Sequence, residues 1–398
     1  PEQAAPPAYR AGKLTRGIAL CLSGGGYRAM LFHLGSLWRL NEAGVLGHLT
    51  WVSSVSGGSI IAAKLGLEWD RLQFSNGTAP PEQFRTLVVD PIRDLANHTI
   101  DVKSVLIGAI LPGVTISDRV VAAYDKYLFN QKTLAQFPDD STGTAPRFVL
   151  NATNVQTGSL WRFSRPYMAD WQVGVWSKPE LPLAVAVAAS SAFPPVLSPC
   201  ILSLDQAPDP PLQGQPAPRY GTPPYTTHVV LSDGGVYDNL GLETAFKRFD
   251  TILVSDGGMK MGPDPEPHED WGLHAKRVLD LIDNQVRSLR KRQLIQAYVD
   301  KLRAGAYWGI VTHLEDYGLP DDPFGYLSPD KPPSKDTQML AATPTRLAAL
   351  EPWRQEGLIN WGYVVCDAAL RAHAAVDLKE RFELTVRPAG GLPYPTVA

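Results

Sequence analysis

Cysteine is scarce in this chain. The three residues at positions 21, 200 and 366 of 398 cannot all pair, and Cys21 falls in an apolar run that reads as a buried strand, so no disulfide scaffold is expected. An excess of either charge is missing too: 37 Lys and Arg against 40 Asp and Glu leave a net charge of -3, no global attraction to nucleic acid or to an anionic membrane. No apolar stretch reaches the roughly 18 residues that span a bilayer. The longest, Val105 to Leu111, stops at Pro112-Gly113 and reads as a buried helix or cap over the core. No His, Cys, Asp and Glu cluster has metal-ligand spacing, so neither metal nor cofactor is implied. There is no internal repeat. The chain starts at Pro1, so a signal peptide removed from it would be out of view; the compartment is left open with the cytoplasm favoured. Asn76, Asn97 and Asn151 head Asn-x-Ser/Thr triplets, which matter only in a secreted eukaryotic protein.

What the chain does have is glycine in two informative places. Ile18 to Leu22 is a short apolar run of buried-strand type, and Gly24-Gly25-Gly26 then turns the chain into a helical pattern through Met30, Leu31, Leu34, Leu37, Trp38 and Leu40, stopped at Gly44. A second strand, about Leu49 to Ser53, leads to Ser54-Val55-Ser56-Gly57-Gly58 and a helix start over Gly57 to Leu65. Both turns then lie at the carboxyl ends of neighbouring parallel strands, where open α/β sheets place their ligands. Small neighbours around Ser56 suit the strained strand-to-helix turn that lifts a nucleophilic serine clear of the backbone. The glycines also fit Gly-x-Gly-x-x-Ala of a dinucleotide site, but Ser53-Ser54 stand where the ribose-binding acid belongs. No Lys-Ser/Thr pair follows them, which excludes a P-loop. The reading is an oxyanion hole beside a serine nucleophile.

A serine hydroxyl needs a base to take its proton. Two Asp-Gly-Gly turns follow apolar strands: Asp233 after His228 to Leu231, and Asp256 after Thr251 to Val254. On strand-end position alone they are nearly equal. Of the eight histidines, His33, His48 and His228 lie within or before elements rather than in a strand-end turn; the remaining five cannot be placed. A Ser-His-Asp hydrolase with a late histidine such as His313 is the alternative, although that fold usually puts several strands before its nucleophile.

Three blocks, Gly24 to Ala29 with Arg28, the elbow around Ser56, and Asp233 to Gly241, together with the looser small-residue segment Ala188 to Leu197, resemble the patatin-like phospholipases. The resemblance spans about Gly17 to Gly258, with Ser54 and Ala29 standing where glycines are usual. It implies a three-layer α/β/α sandwich around a mostly parallel sheet, and a Ser56-Asp233 dyad that favours Asp233 over Asp256. It also implies oxyanion donors among Gly24, Gly25, Gly26 and Gly57, and Arg28 supporting the glycine loop. The expected activity is carboxylic ester hydrolysis on a lipid or acyl ester through an acyl-enzyme; a catalytically silent lipid-binding module is the competing class. On this reading residues 1–16 are a tail, 17–260 the catalytic core and 261–398 a mainly helical C-terminal extension packed on the same domain, with the oligomeric state open.

Outside the blocks, the Pro-rich segments Ala207 to Pro224 and Pro320 to Pro333 read as surface loops that could cover a site, and Arg346 to Arg371 as mainly helical. The longest helical pattern, about Leu273 to Leu302, carries an apolar stripe of Val278, Ile282, Val286 and Leu289 and a basic cluster at Arg287 and Arg290 to Arg292. It is expected to pack through the stripe and expose the charges; peripheral membrane contact is the second reading. Val105 to Leu111 likewise has a second reading, as lining of an acyl-chain groove.

Overall fold

The computed structural model describes residues 14–100, 115–211, 217–259, 261–325 and 333–397; Val105 to Leu111 lies outside them. Ten strands form the sheet: β1 (Thr15–Leu22), β2 (Leu49–Val55), β3 (Arg147–Asn154), β4 (Ser159–Phe163), β5 (Tyr167–Asp170), β6 (Gly174–Ser177), β7 (Cys200–Ser203), β8 (His228–Asp233), β9 (Phe249–Asp256) and β10 (Ala304–Gly309). Their order is β10-β9-β1-β2-β3-β4-β5-β6, with β8 pairing β3 and β7. The strands from β10 to β3 are mutually parallel, and an antiparallel wing continues from β3. In β1 the side chains of Ile18, Leu20 and Leu22 enter one apolar core, while Ala19 and Cys21 enter a second on the opposite face. Burial on both faces is why that strand is an uninterrupted apolar run.

The helices that matter to the site are α1 (Gly26–Glu42), α2 (Gly57–Glu68), α3 (Leu183–Ser190), α4 (Trp271–Val299) and α5 (Pro352–Ala369). Helix α1 is buried almost all round because α5 covers its outer side. The two cross so closely that a Cβ on Gly362 would sit 1.9 Å from the Phe32 carbonyl oxygen, and one on Gly35 would sit 1.9 Å from that of Ile359. The buried pair Arg39 to Asp367 at 2.8 Å fixes the same contact. Gly362→Ala is therefore expected to destabilise by roughly 1–3 kcal/mol, because overpacking outweighs the better helix propensity of alanine. Denaturant unfolding checks this; a variant as stable as the parent would mean the helices do not cross at glycine.

Residues beyond 260 are thus more than a helical addition, since they supply β10 to the sheet as well as the cover over α1. Helix α4 departs from the expected orientation. Its buried residues are Arg287, Leu294 and Ala297, while Val278, Ile282 and Leu289 are exposed and Val286 is only half-buried. The reason is charge satisfaction: Arg287 turns inward to Asp256 and donates to the Met259 carbonyl at 2.5 Å, and only the carboxyl-terminal turns reach the apolar core, through Leu294. The stripe that sequence periodicity marks as a packing face therefore looks outward over the first half of the helix.

Candidate active site

Two helix N-termini meet where β1 and β2 end. After β1 the chain turns through Gly25, at φ +141°, into α1, which has neither a side-chain cap nor an acidic residue in its first turn. After β2 it turns through Ser56, at φ 52° and ψ -121°, into α2. A positive φ on serine is the strained geometry of a nucleophile elbow. The turns touch: a Cβ on Gly57 would lie 2.1 Å from the Gly26 carbonyl oxygen, and Gly58 N–H donates to the Ser23 carbonyl at 3.1 Å. Gly24 N–H is already engaged, donating to the Asn239 carbonyl and to Asn239 Oδ1, each at 3.1 Å. The N–H groups of Gly25, Gly26 and Gly57 have no acceptor among the described residues. Donors at the positive ends of two helices suit developing negative charge.

Strand β8 brings Asp233 to the same place from the opposite direction. In β3, Asn151 pairs with Val55 of β2, and the next residue, Ala152, pairs with Asp233 of β8. Strands β2 and β8 therefore run at each other along one edge of β3, and their ends, Ser56 and Asp233, converge. Asp233 is the last residue of an antiparallel strand rather than part of a turn after a parallel one. Asp233 Oδ1 accepts from Gly235 N–H at 2.7 Å, whereas buried Oδ2 makes no hydrogen bond of ordinary geometry. The Ser56 hydroxyl acts on the carboxylate from beside it. Burial pushes the Asp233 carboxyl up to about 7, against the Gly235 N–H and the Ser56 hydroxyl, with repulsion from Asp283 adding to the rise.

Asp256 is differently placed. It accepts from the Tyr307 hydroxyl at 2.7 Å, from Gly258 N–H at 2.9 Å and from Arg287 at 3.4 Å. Burial opposes its ionisation, but Arg287, Tyr307 and Gly258 outweigh it and hold the carboxyl below its ordinary range. Ser56, Asp233 and Gly24 to Gly26 line one cavity of about 690 Å³, and Asp256 does not. Nor does any of the eight histidines. Buried His33 pairs with Ser255 Oγ at 2.8 Å and the Ser23 carbonyl at 2.9 Å, behind the glycine loop. Arg28, in the first turn of α1, donates to the Gly257 and Thr343 carbonyls, tying the start of that helix to the turn after β9 and to the segment ahead of α5, with Nη2 left without a hydrogen bond. Among the described residues no group of His, Cys, Asp and Glu could hold a metal ion. No helix among them is long and apolar enough to cross a membrane.

The sequence profile of the patatin-like phospholipases matches residues 20–246, more than half of the chain. The chain belongs to this family. Among solved structures it is similar to human GIVD cytosolic phospholipase A2 in complex with methyl gamma-linolenyl fluorophosphonate, at 18% identity and a TM-score of 0.50, over 92% of this chain and 60% of that one. A second structure of that human enzyme, with the inhibitor and terbium chloride, gives 16% identity and a TM-score of 0.49 over 90% and 59%. The chain thus spans about 60% of the length of those solved chains, and the likeness is one of fold. No curated protein is a significant match.

In this member of the family the small-residue segment ahead of β7 has a clear task, since it touches both halves of the site. Ser190 Oγ accepts Ser56 N–H at 3.1 Å, the Ser190 carbonyl accepts Gly234 N–H at 3.2 Å, and the Ala192 carbonyl accepts Asp233 N–H at 2.9 Å. Ser54, where the family usually has glycine, points into the same hydroxyl network: its Oγ lies 3.0 Å from Ser59 Oγ, itself 2.8 Å from Ser190 Oγ. Asn239 and Asp283 also line the cavity, joined by a 3.4 Å hydrogen bond. Ser190 and Asn239 lie inside blocks readable in the sequence without a role attached to them. Asp283 carries no sequence signal, because only the packing of α4 turns it toward Asp233.

Proposed function

We propose that this chain is a serine lipid acyl hydrolase, of phospholipase A, lysophospholipase or carboxylesterase type, working through a Ser56-Asp233 dyad and a covalent acyl-enzyme. One observation carries the reading: a buried carboxylate oxygen of Asp233, free of other hydrogen bonds and with its pKa near 7, sits beside the Ser56 hydroxyl in a cavity also lined by Gly25 and Gly26, whose N–H groups are unengaged. A base titrating near the working pH is well matched to proton transfer.

In the first step Asp233 Oδ2 takes the Ser56 proton while Oγ attacks the ester carbonyl carbon. The carbonyl oxygen becomes an oxyanion and accepts from the N–H groups of Gly25, Gly26 and Gly57. Collapse expels the alcohol, which takes the proton back from Asp233, and Ser56 carries the acyl group. Water then gives its proton to Asp233 and attacks the acyl carbonyl; collapse returns a proton to Ser56 and releases the acid. Arg28 acts as a positioning residue, by holding the start of α1, just after the glycine loop, against the Gly257 and Thr343 carbonyls.

Because no histidine lines the cavity, each of the eight changed singly to Gln is expected to keep short-chain ester hydrolysis within about a hundredfold of the parent, provided it folds. A p-nitrophenyl ester assay measures this. One folded histidine variant as inactive as Ser56→Ala would replace the dyad with a Ser-His-Asp triad. Labelling by a fluorophosphonate probe separates a hydrolase from a silent lipid-binding module, which would remain unlabelled.

A further inference from the structure

We infer that Asp283 of α4 is a second carboxylate of the active site, a positioning residue that orients Asn239 on the glycine loop and sets the field in which Asp233 takes the Ser56 proton. The assignment of that proton rests on the hydrolase reading; the pairing of the two carboxyls does not. Asp283, Asn239, Asp233 and Ser56 line one cavity. Asn239 reaches both ways within it: its Oδ1 accepts from Gly24 N–H at 3.1 Å, and its Nδ2 donates to Asp283 Oδ2 at 3.4 Å. The amide is wedged in place. A Cβ on Gly24 would lie 2.3 Å from Asn239 Oδ1, and one on Gly235 would lie 3.0 Å from both Asn239 Oδ1 and Asp233 Oδ1. An ionised carboxylate only accepts hydrogen bonds, so Asp283 draws the Asn239 NH2 towards α4 and leaves its carbonyl oxygen for the glycine loop.

The charge of Asp283 is incompletely neutralised where it stands. Its Oδ1 is buried with no hydrogen bond among the described residues. Arg287, one turn along α4, favours its ionisation but directs its own N–H groups to Asp256, the Met259 carbonyl and Asn284 Oδ1. Burial, with repulsion from Asp256 of β9 and from Asp280 one turn before, raises the Asp283 carboxyl to about 6, against Arg287 and the Asn239 amide. Asp233 in turn is faced by Asp283 and by the buried Tyr124 hydroxyl from the helix Ile116–Tyr124. The other cations lining the cavity are Arg28 and Arg277, held on backbone carbonyls, Lys276, paired with Asp280 at 2.5 Å, and Arg346. At neutral pH Asp283 therefore stands ionised near a base that titrates at about 7, and like charge holds back the ionisation of the second carboxyl.

The test is the pH dependence of kcat/KM for a soluble short-chain ester, measured on the full chain and on its Asp283→Asn variant. Asparagine keeps an acceptor for Asn239 and removes the charge. The acid limb, at about pH 7 in the parent, is expected to move roughly half a unit to one unit lower, so that activity at pH 5.5 relative to pH 8.5 rises about threefold to tenfold. Asp283→Ala removes the acceptor as well, and should show the same shift with a plateau about tenfold lower, lost through kcat rather than KM, because Asn239 is no longer held. Asp283→Glu should bring the limb back towards the parent. Asp283 is half-buried on a helix, and circular dichroism and unfolding midpoints check that the variants fold. A folded Asp283→Asn or Asp283→Ala variant whose acid limb stays put or moves up overturns the inference. NMR titration of the Asp233 carboxyl in protein carrying isotope-labelled aspartate reads the same shift without turnover. That shift in a protein that hydrolyses no ester would sink the hydrolase reading and leave the pairing of the carboxyls standing; its absence overturns the inference whether or not the protein is active.

Discussion

Ser56→Ala is expected to lower ester hydrolysis by on the order of 10⁴ to 10⁶-fold and to abolish fluorophosphonate labelling, with no change in fold. The size of the loss follows from the mechanism, because without Oγ there is no covalent intermediate and only binding and oxyanion stabilisation remain. The fold should persist, since Ser56 Oγ donates to no backbone group and the elbow is held by other atoms: Ser56 N–H on Ser190, Gly58 N–H on Ser23 and the hydroxyl chain from Ser54 to Ser190. Kinetics with a soluble ester and mass spectrometry of the labelled protein check both halves. If Ser59→Ala were the inactive variant and Ser56→Ala retained turnover, the nucleophile would be misassigned. Ser59 already spends its hydroxyl on Ser54 and Ser190 within the buried network.

Asp233→Asn is expected to cost on the order of 10² to 10⁴ in rate, while Asp256→Asn should keep most of its activity and lose stability instead. An amide in place of the Asp233 carboxylate cannot accept the serine proton. An amide at 256 leaves Arg287 without its counter-charge in a buried setting, a cost of about 1–3 kcal/mol. The pH profile follows from the Asp233 carboxyl at about 7. The base must be ionised, so kcat/KM should fall about tenfold per unit below that pH. Stability runs the other way. A carboxyl at about 7 in the folded chain and near 3.9 in the unfolded one binds more protons when folded, so its stabilising contribution is complete below about pH 4 and is lost as pH rises towards 7. Asp233→Asn should therefore be more stable than the parent at pH 8, by up to about 4 kcal/mol, and gain nothing at pH 4. Denaturant midpoints at the two pH values test this; a gain that does not depend on pH would mean that Asp233 titrates normally.

The parts of this site that could be read in the sequence are those whose geometry is local. The unit β1, α1, β2, α2 appears at its expected place, with strand and helix ends within a few residues, because each turn carries its own glycines and each strand is an apolar run bounded by them. Of the antiparallel wing only β8 showed as an apolar strand, without its direction, and β4 to β7 were not legible. Strands β4 to β7 are each only four or five residues long, too short for a period to announce them, and β8 reaches β3 from far along the chain. Helix α4 shows where periodicity stops being informative: the stripe of Val278, Ile282 and Leu289 was visible, yet the side that turns inward was set by Asp256 and the cavity.

Sequence alone determined the two parallel strand ends, the glycine loop, the Ser56 elbow and a short list of two aspartates, since these depend on backbone conformations that only particular residues adopt. The tertiary structure decided which aspartate faces the serine. Asp233 arrives on an antiparallel strand that abuts β2 along β3, while Asp256, one strand beyond β1, is held by Arg287 and Tyr307 from elements far along the chain. It also decided that residues after 260 complete the sheet and the cover over α1. Strand pairing and the partners of a buried charge are long-range choices, made by what can pack and be hydrogen-bonded at once, and no local pattern encodes them.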